Sequence, residues 1–358
     1  MTRIRSLIGA PSIMLLAGAV LAVAAGCGTG GVAQGGTGGL TGAGGYGNGK
    51  SALSGLPTPP GDGGIARPAG TPGNVKILDW AGFKAAVSYT FDDTNSSQIQ
   101  RYAELQALGV PMTFYLITGK TEFRDPVWMQ ALTDGHEIGN HTMSHLQAGT
   151  GADVDAGFAA IMQRFGVTAW TMAAPYGDTS YVDIARTRYL INRGVSNGLM
   201  APNDSTDPFN IYCYIPAPEA PAAMFNEQID AARAAGRWRT VLVHGFDGGS
   251  DGAYQPVAIT EFTASVEHAK SFGDIWIDTV TNVGAYWRGQ KVVSSVAPVT
   301  AGDTTTWTWT LPDHFPPGKY LRATVDGGTL TQSGSPLPWN DHGYYEIALD
   351  AGALTLSP

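Results

Sequence analysis

Four places in this 358-residue chain combine residue types and spacing that could do chemistry. Asp92-Asp93 sets two carboxylates side by side at the end of an apolar run, and such a pair repels itself unless a cation or a proton compensates. His141-Thr142-Met143-Ser144-His145 places two imidazoles four apart, so on a helical turn both face one way. That is the spacing with which a single ion takes two nitrogen ligands at about 2.0–2.1 Å. Pro175-Tyr176-Gly177 reads as a turn whose backbone N–H groups can point inward, and His244 directly follows the apolar run Val241-Leu242-Val243. Taken singly, each has a plain structural reading: a helix start, two surface histidines, a turn, a satisfied histidine. Their weight comes from where they fall in the chain.

Apolar runs at 84–91, 111–117, 136–141, 168–174, 189–195, 239–244 and 275–278 read as strands. Between them, 96–108, 126–133, 152–165 and 256–272 carry helical spacing. The alternation predicts parallel βαβ units across residues 74–289, an α/β fold closing or nearly closing into a β/α barrel. Barrels of this kind do their chemistry at the carboxyl ends of the strands, and all four candidate places lie there.

Composition removes other classes. Charged residues are 14% of the chain and the formal net charge is −9, so no basic stripe exists to neutralise the phosphates of a nucleic acid. Two cysteines build no disulfide scaffold. Arg3 and Arg5 precede the apolar run 7–25, which reads as a signal peptide over residues 1–26. The run ends in Ala24-Ala25-Gly26-Cys27, similar to a bacterial lipobox with Ala24 where leucine is commonest. The expectation is an exported lipoprotein at the cell envelope or surface, joined to membrane only through lipid on Cys27; cleavage nearby without lipidation would leave it secreted. Residues 27–73 are rich in glycine and read as a disordered tether. No later run is apolar enough to span a bilayer.

The same residues carry a resemblance. Thr90-Phe91-Asp92-Asp93, the run from Gly135-His136-Glu137 to His145, Pro175-Tyr176-Gly177 and Leu242-Val243-His244 resemble motifs of the polysaccharide deacetylases of the NodB-homology type, which are metal-dependent carbohydrate esterases. The resemblance covers residues 84–289. It implies a distorted (β/α) barrel, Asp92 as general base, and Asp93, His141 and His145 as ligands of a divalent metal, zinc foremost. It further implies that the Tyr176 N–H, after Pro175, stabilises the oxyanion and that His244 protonates the leaving group. The implied substrate is an acetylated polysaccharide, N-acetylhexosamine units foremost; O-acetyl esterase activity and glycan binding without cleavage are the alternatives. Two departures stand out. Ala173 occupies the place where the family has an arginine pairing with the base, and Arg193, at the end of the next strand, is expected to replace it. The family's Asp-rich fourth motif is echoed only loosely by Asp204-Ser205-Thr206-Asp207, so Asp278, two residues past Trp276, is expected to orient His244.

His136 is an odd offset from His141 along a strand and should face away from the metal. Trp170, Trp276, Tyr176 and Trp287 could stack on sugar rings, although Trp170 within a strand fits a core better. Cys213 is a lone buried thiol if Cys27 carries lipid, and a bridge partner for Cys27 otherwise. Residues 290–358 change texture to short β-branched runs separated by Gly, Pro, Asp and Asn, which predicts a small all-β sandwich. Its alternating Trp307 and Trp309 share a face, as sandwich core or as a carbohydrate-binding surface, the core reading being preferred.

Overall fold

The computed structural model describes residues 49–358. The residues read as a signal peptide and a lipobox, with Cys27, lie outside the described residues. The first eight strands are β1 (Lys76–Ile77), β2 (Ala85–Phe91), β3 (Thr113–Leu116), β4 (Glu137–Asn140), β5 (Thr171–Ala173), β6 (Ile191–Arg193), β7 (Trp238–Val243) and β8 (Ile275–Ile277). The helices are α1 (Ser96–Gln100), α2 (Tyr102–Ala107), α3 (Val127–Thr133), α4 (Gly151–Phe165), α5 (Ser180–Arg186), α6 (Ala222–Ala235), α7 (Ile259–Ser271) and α8 (Val280–Ser294).

Strands β2 to β8 form a parallel sheet in the order β6-β5-β4-β3-β2-β7, with β8 pairing to β2 off this path. All seven side chains of β2 are buried, as expected of a strand covered on both faces. Its edges are shared unevenly. Ala85–Val87 pair with β8, whereas only Thr90 and Phe91 pair with β3. Between β6 and β7 the sheet is bridged by the irregular stretch 211–214: Ile211 pairs with Arg193 and Tyr214 with Val241. The result is a distorted, closed (β/α) barrel. The single helix predicted over 96–108 is broken at Arg101, whose φ and ψ of −98° and 8° are not helical. Cys213 is buried on the closing stretch, its Sγ 3.3 Å from the Gly194 carbonyl, and burial pushes its thiol pKa up to about 11.

The amino ends of the strands rest on a second apolar cluster in which Trp80, Trp238, Trp276 and Trp287 meet Leu321, Ile347 and Leu349 of the carboxyl-terminal domain. Trp276 and Trp287 are therefore core, not sugar platforms; Trp170 is half-buried and away from the cavity described below.

The remaining strands, β9 (Val299–Ala301), β10 (Thr304–Thr308), β11 (Tyr320–Thr324), β12 (Thr329–Gln332), β13 (Ser335–Pro336), β14 (Trp339–Asn340), β15 (Tyr344–Ala348) and β16 (Ala353–Ser357), make two sheets. One runs β1-β11-β15-β14 and the other β13-β12-β16-β10-β9. The all-β domain thus borrows β1 from ahead of the barrel, and α8 continues past Gly289 to Ser294. Residues 49–73, read from composition as tether, hold specific partners here. Ser51 and Ser54 donate to Glu346, Arg67 donates to Gly328, and the Ile65 N–H donates to the Asp341 carbonyl. Trp309 is core, with its indole N–H on the Leu349 carbonyl at 2.8 Å, while Trp307 is half-buried. Among the described residues no helix is long and apolar enough to cross a membrane.

Candidate active site

The carboxyl ends of the barrel strands surround one cavity of about 430 Å³. Asp92, Asp93, His141, His145, Tyr176 and His244 line it, with Ala174, Val195, Ile215 and Tyr254 completing the wall.

Asp93 Oδ1 lies 3.3 Å from His141 Nε2 and 3.4 Å from His145 Nε2. The three ligand atoms lie within 4.8 Å of one another. His141 Nδ1 is 2.9 Å from the Ala173 carbonyl, which can only accept, so that nitrogen carries the proton and Nε2 presents its lone pair to the cavity. Burial alone would raise the Asp93 pKa, but His141 foremost, with the charges of His244 and His145, holds it well below the usual carboxylate range. Burial, reinforced by His141, lowers His145 to about 4, so its ring is neutral near pH 7. Burial opposes protonation of His141, yet Asp92 and Asp93 lift its pKa. One carboxylate and two imidazoles, converging with a side open to a cavity, fit a catalytic divalent cation better than a closed structural site.

The two histidines do not reach this arrangement on the expected helical turn. Residues 141–145 form an irregular loop with left-handed backbone at Thr142 (φ 66°) and His145 (φ 53°). Side chains satisfy its amides. Thr142 N donates to Asn140 Oδ1, Ser144 N to Asp153 Oδ1, and His145 N to Thr142 Oγ1, at 2.8, 3.0 and 3.0 Å. Helix α4 must come close to supply Asp153, which requires Gly157: a Cβ there would sit 2.4 Å from Asn140 Oδ1 and 2.9 Å from the Thr142 carbonyl carbon. The end of β2 is also left-handed, at Asp93 (φ 76°) and Thr94 (φ 57°). This unfavourable backbone is pinned from outside. Lys120 Nζ donates to the Asp93 carbonyl and to Asn95 Oδ1, and Asn95 and Gln98 both donate to the His244 carbonyl, joining the ends of β2 and β7.

Asp92 is 2% exposed and receives the Arg193 guanidinium on Oδ2. Ala173 and Arg193 are direct partners in the β5–β6 register. The guanidinium therefore arrives from the residue laterally beside the position where the sequence lacks one. Asp92 Oδ1 is buried without a hydrogen-bond partner among the described residues, and so is His244 Nδ1. Burial lowers the His244 pKa, opposed in part by Asp92 and Asp93. Tyr176 has a φ of 56° and sets its ring 4.6 Å from that of His145. In the turn that Pro175 begins, Gly177 N donates to Ala174 O and Asp178 N to Pro175 O; the Tyr176 N–H takes part in neither bond.

Asp278 does not orient His244. Its carboxylate accepts from the Trp276 indole, the Thr279 amide and the Asn282 amide side chain. The reason is register: Ile277 pairs with Val87, so β8 ends well short of the level at which β2 delivers Asp92. The Asp204–Asp207 stretch serves elsewhere too, with Asp204 holding Lys291 and Asp207 holding Arg186. His136 faces away, accepting the Met112 amide on Nδ1, and burial lowers its pKa to about 4. Sequence reasoning passed over Tyr254, 60% exposed, whose ring meets His244 edge-on at 5.2 Å. It sits in a Gly-, Asp- and Ser-rich loop with no periodicity to mark it. Asn95, Gln98 and Lys120 were also passed over; their only signal was polarity beside Asp92-Asp93 and after the second strand.

Residues 82–190 match the family model described as polysaccharide deacetylase. Among curated proteins, a gellan lyase from a Bacillus species is 32% identical over 148 residues, which take in 38% of this chain and 6% of that protein. The chain therefore spans a small fraction of that relative's length. Among solved structures, Puue allantoinase aligns with a TM-score of 0.49 at 11% identity, covering 60% of this chain and 94% of that one. A family 4 acetyl xylan esterase from Clostridium thermocellum, solved with a cobalt ion, aligns with a TM-score of 0.38 at 19% identity, covering 55% and 89%. The family model thus spans the first three of the motifs, at residues 90–93, 135–145 and 175–177, and ends short of His244.

Proposed function

We propose that the protein is a metal-dependent hydrolase that removes acetyl groups from an extracellular or cell-wall polysaccharide, with the N-acetyl groups of hexosamine units as its substrate class. The observation that carries this reading is the meeting, in one cavity, of a three-donor cation site, a carboxylate with an unpartnered oxygen, and a histidine. A divalent cation, zinc foremost, held by Asp93 Oδ1 and the Nε2 atoms of His141 and His145, supplies Lewis acidity at the acetyl carbonyl. Asp92 accepts a proton from the attacking water on Oδ1, while Arg193 keeps Oδ2 engaged. The Tyr176 N–H donates to the oxyanion of the tetrahedral intermediate. His244 then gives a proton to the departing nitrogen, the C–N bond breaks, and acetate and a free amine remain. An amine leaves only once protonated, so a proton donor separate from the base supports an amide substrate.

The proposal extends to location. Residues 1–26 would export the chain and Cys27 would carry lipid, fixing it at the cell envelope or surface.

The test is acetate release by the purified chain from chitopentaose and from acetylated xylan, before and after chelation and zinc re-addition. Release from chitopentaose, lost on chelation and restored by zinc, is expected. Release from xylan alone would convert the reading to an O-acetyl esterase. Release from neither, with glycan binding intact, would make the protein a lectin-like surface protein.

A further inference from the structure

The chain has nine tryptophans, and seven of them donate the indole N–H to a protein acceptor. Trp307 does not, although it is half-buried and stands on β10 opposite Leu354. It forms one wall of a second cavity, of about 340 Å³, where α8 and the segment around β1 meet the all-β domain. Val293, Leu354 and Gln290 also line this cavity, and the exposed Asp79 and Asn203 stand at its edge. Its size falls at the lower end of the roughly 300–1,000 Å³ usual for small-molecule sites.

Gln290 is the second and independent observation. Its side chain is 2% exposed and donates from Nε2 to Asp79 Oδ1 at 2.5 Å. Oε1 is left buried with no partner among the described residues. The amide cannot be turned over to cure this, because a carboxylate only accepts and would then face the carbonyl oxygen. An orphaned acceptor on a residue that lines the cavity, beside an indole that offers an apolar face and an unused N–H, asks for a ligand that is apolar on its flat faces and carries hydroxyls around its rim.

We infer that this cavity binds one hexose unit of a polysaccharide, its C–H face against Trp307 and its hydroxyls on Gln290 Oε1, the Trp307 N–H and Asp79. Helix α8 and the residues around β1 place the cavity on the apolar cluster at the amino ends of the barrel strands, on the far side from the catalytic cavity. The two can be filled at once, so the second site would hold a polymer without competing with hydrolysis. The inference stands on this cavity's own chemistry and does not need the deacetylase reading.

The full chain is run in native gels cast with glycol chitin or with xylan, and acetate release from soluble chitopentaose is measured in parallel. Wild type should be retarded by at least one polymer. Trp307→Ala should weaken that retention about tenfold while leaving acetate release unchanged. Ser294→Arg, an exposed position lining the cavity in the last turn of α8, should do the same without touching the core; it decides the matter if Trp307→Ala fails to fold. His145→Ala, which disables the cation site, should stay retarded. The inference is overturned if neither polymer retards the wild type, if both cavity variants migrate as wild type does, or if retention is lost in His145→Ala. Each of these is read separately from acetate release, so the failure of one reading is not mistaken for the failure of the other.

Discussion

Among the described residues, two arginines are completely buried against a carboxylate, and their surroundings differ in one respect. In the all-β domain, Arg322 donates to Glu346 Oε1, to the carbonyls of Pro57 and Ala81 at 2.7 and 3.0 Å, and to the Leu56 carbonyl. Glu346 in turn accepts the hydroxyls of Ser51 and Ser54, each at 2.6 Å. Nothing in that network lacks a partner. In the barrel, the Arg193–Asp92 pair leaves Asp92 Oδ1 and Arg193 Nε without partners among the described residues. A completed buried network fixes chain segments in place, whereas an incomplete one keeps a polar atom at high free energy until a substrate arrives. Satisfaction, more than burial or charge, separates the pair in the all-β domain from the pair at the candidate active site.

The sharpest way to break this contrast is Asp92→Asn. Turnover should fall about 10²- to 10⁴-fold, the range of a general base, while the melting temperature stays near wild type. Acetate release that survives the substitution would remove Asp92 from the chemistry. The mirror experiment is Arg322→Met, which strands Glu346 in a dry interior. It should cost about 3–5 kcal/mol in a denaturant titration, with turnover of the folded fraction intact. Arg193→Lys keeps the positive charge but loses the planar fork, and a fall of about 10–100-fold in turnover, exceeding any loss of stability, is expected. The smallest effect should come from Ser51→Ala with Ser54→Ala, about 1 kcal/mol for each hydroxyl removed, seen as faster amide exchange over residues 50–57 and no change in acetate release.

The barrel could be read from the sequence because each of its strands is a short apolar run bounded by turn residues, and because the chemistry-bearing residues follow those runs directly. The His141 and His145 pair was visible as spacing, but its conformation was not. Four-residue spacing suggests a helix, while the actual loop depends on Asp153 and Gly157 of α4 approaching from outside. Arg193 could be anticipated from the gap at Ala173, since lateral neighbours in a parallel sheet can exchange a side chain's task. Asp278 could not be placed, because the height of β8 depends on which half of β2 it joins. The stretch 49–73 looked like a tether because its own composition buries little. Its partners, such as Glu346 for Ser51, lie 295 residues downstream and leave no local trace.

The hairpin-like bridge of Lys50 with Pro57 lies beside Gly109, Pro111 and Gly135, at the amino ends of β3 and β4. The described chain thus begins at the pole of the barrel opposite its reaction chamber. Residues 50–57 therefore cover the pole of the barrel opposite the cavity and leave its mouth unobstructed.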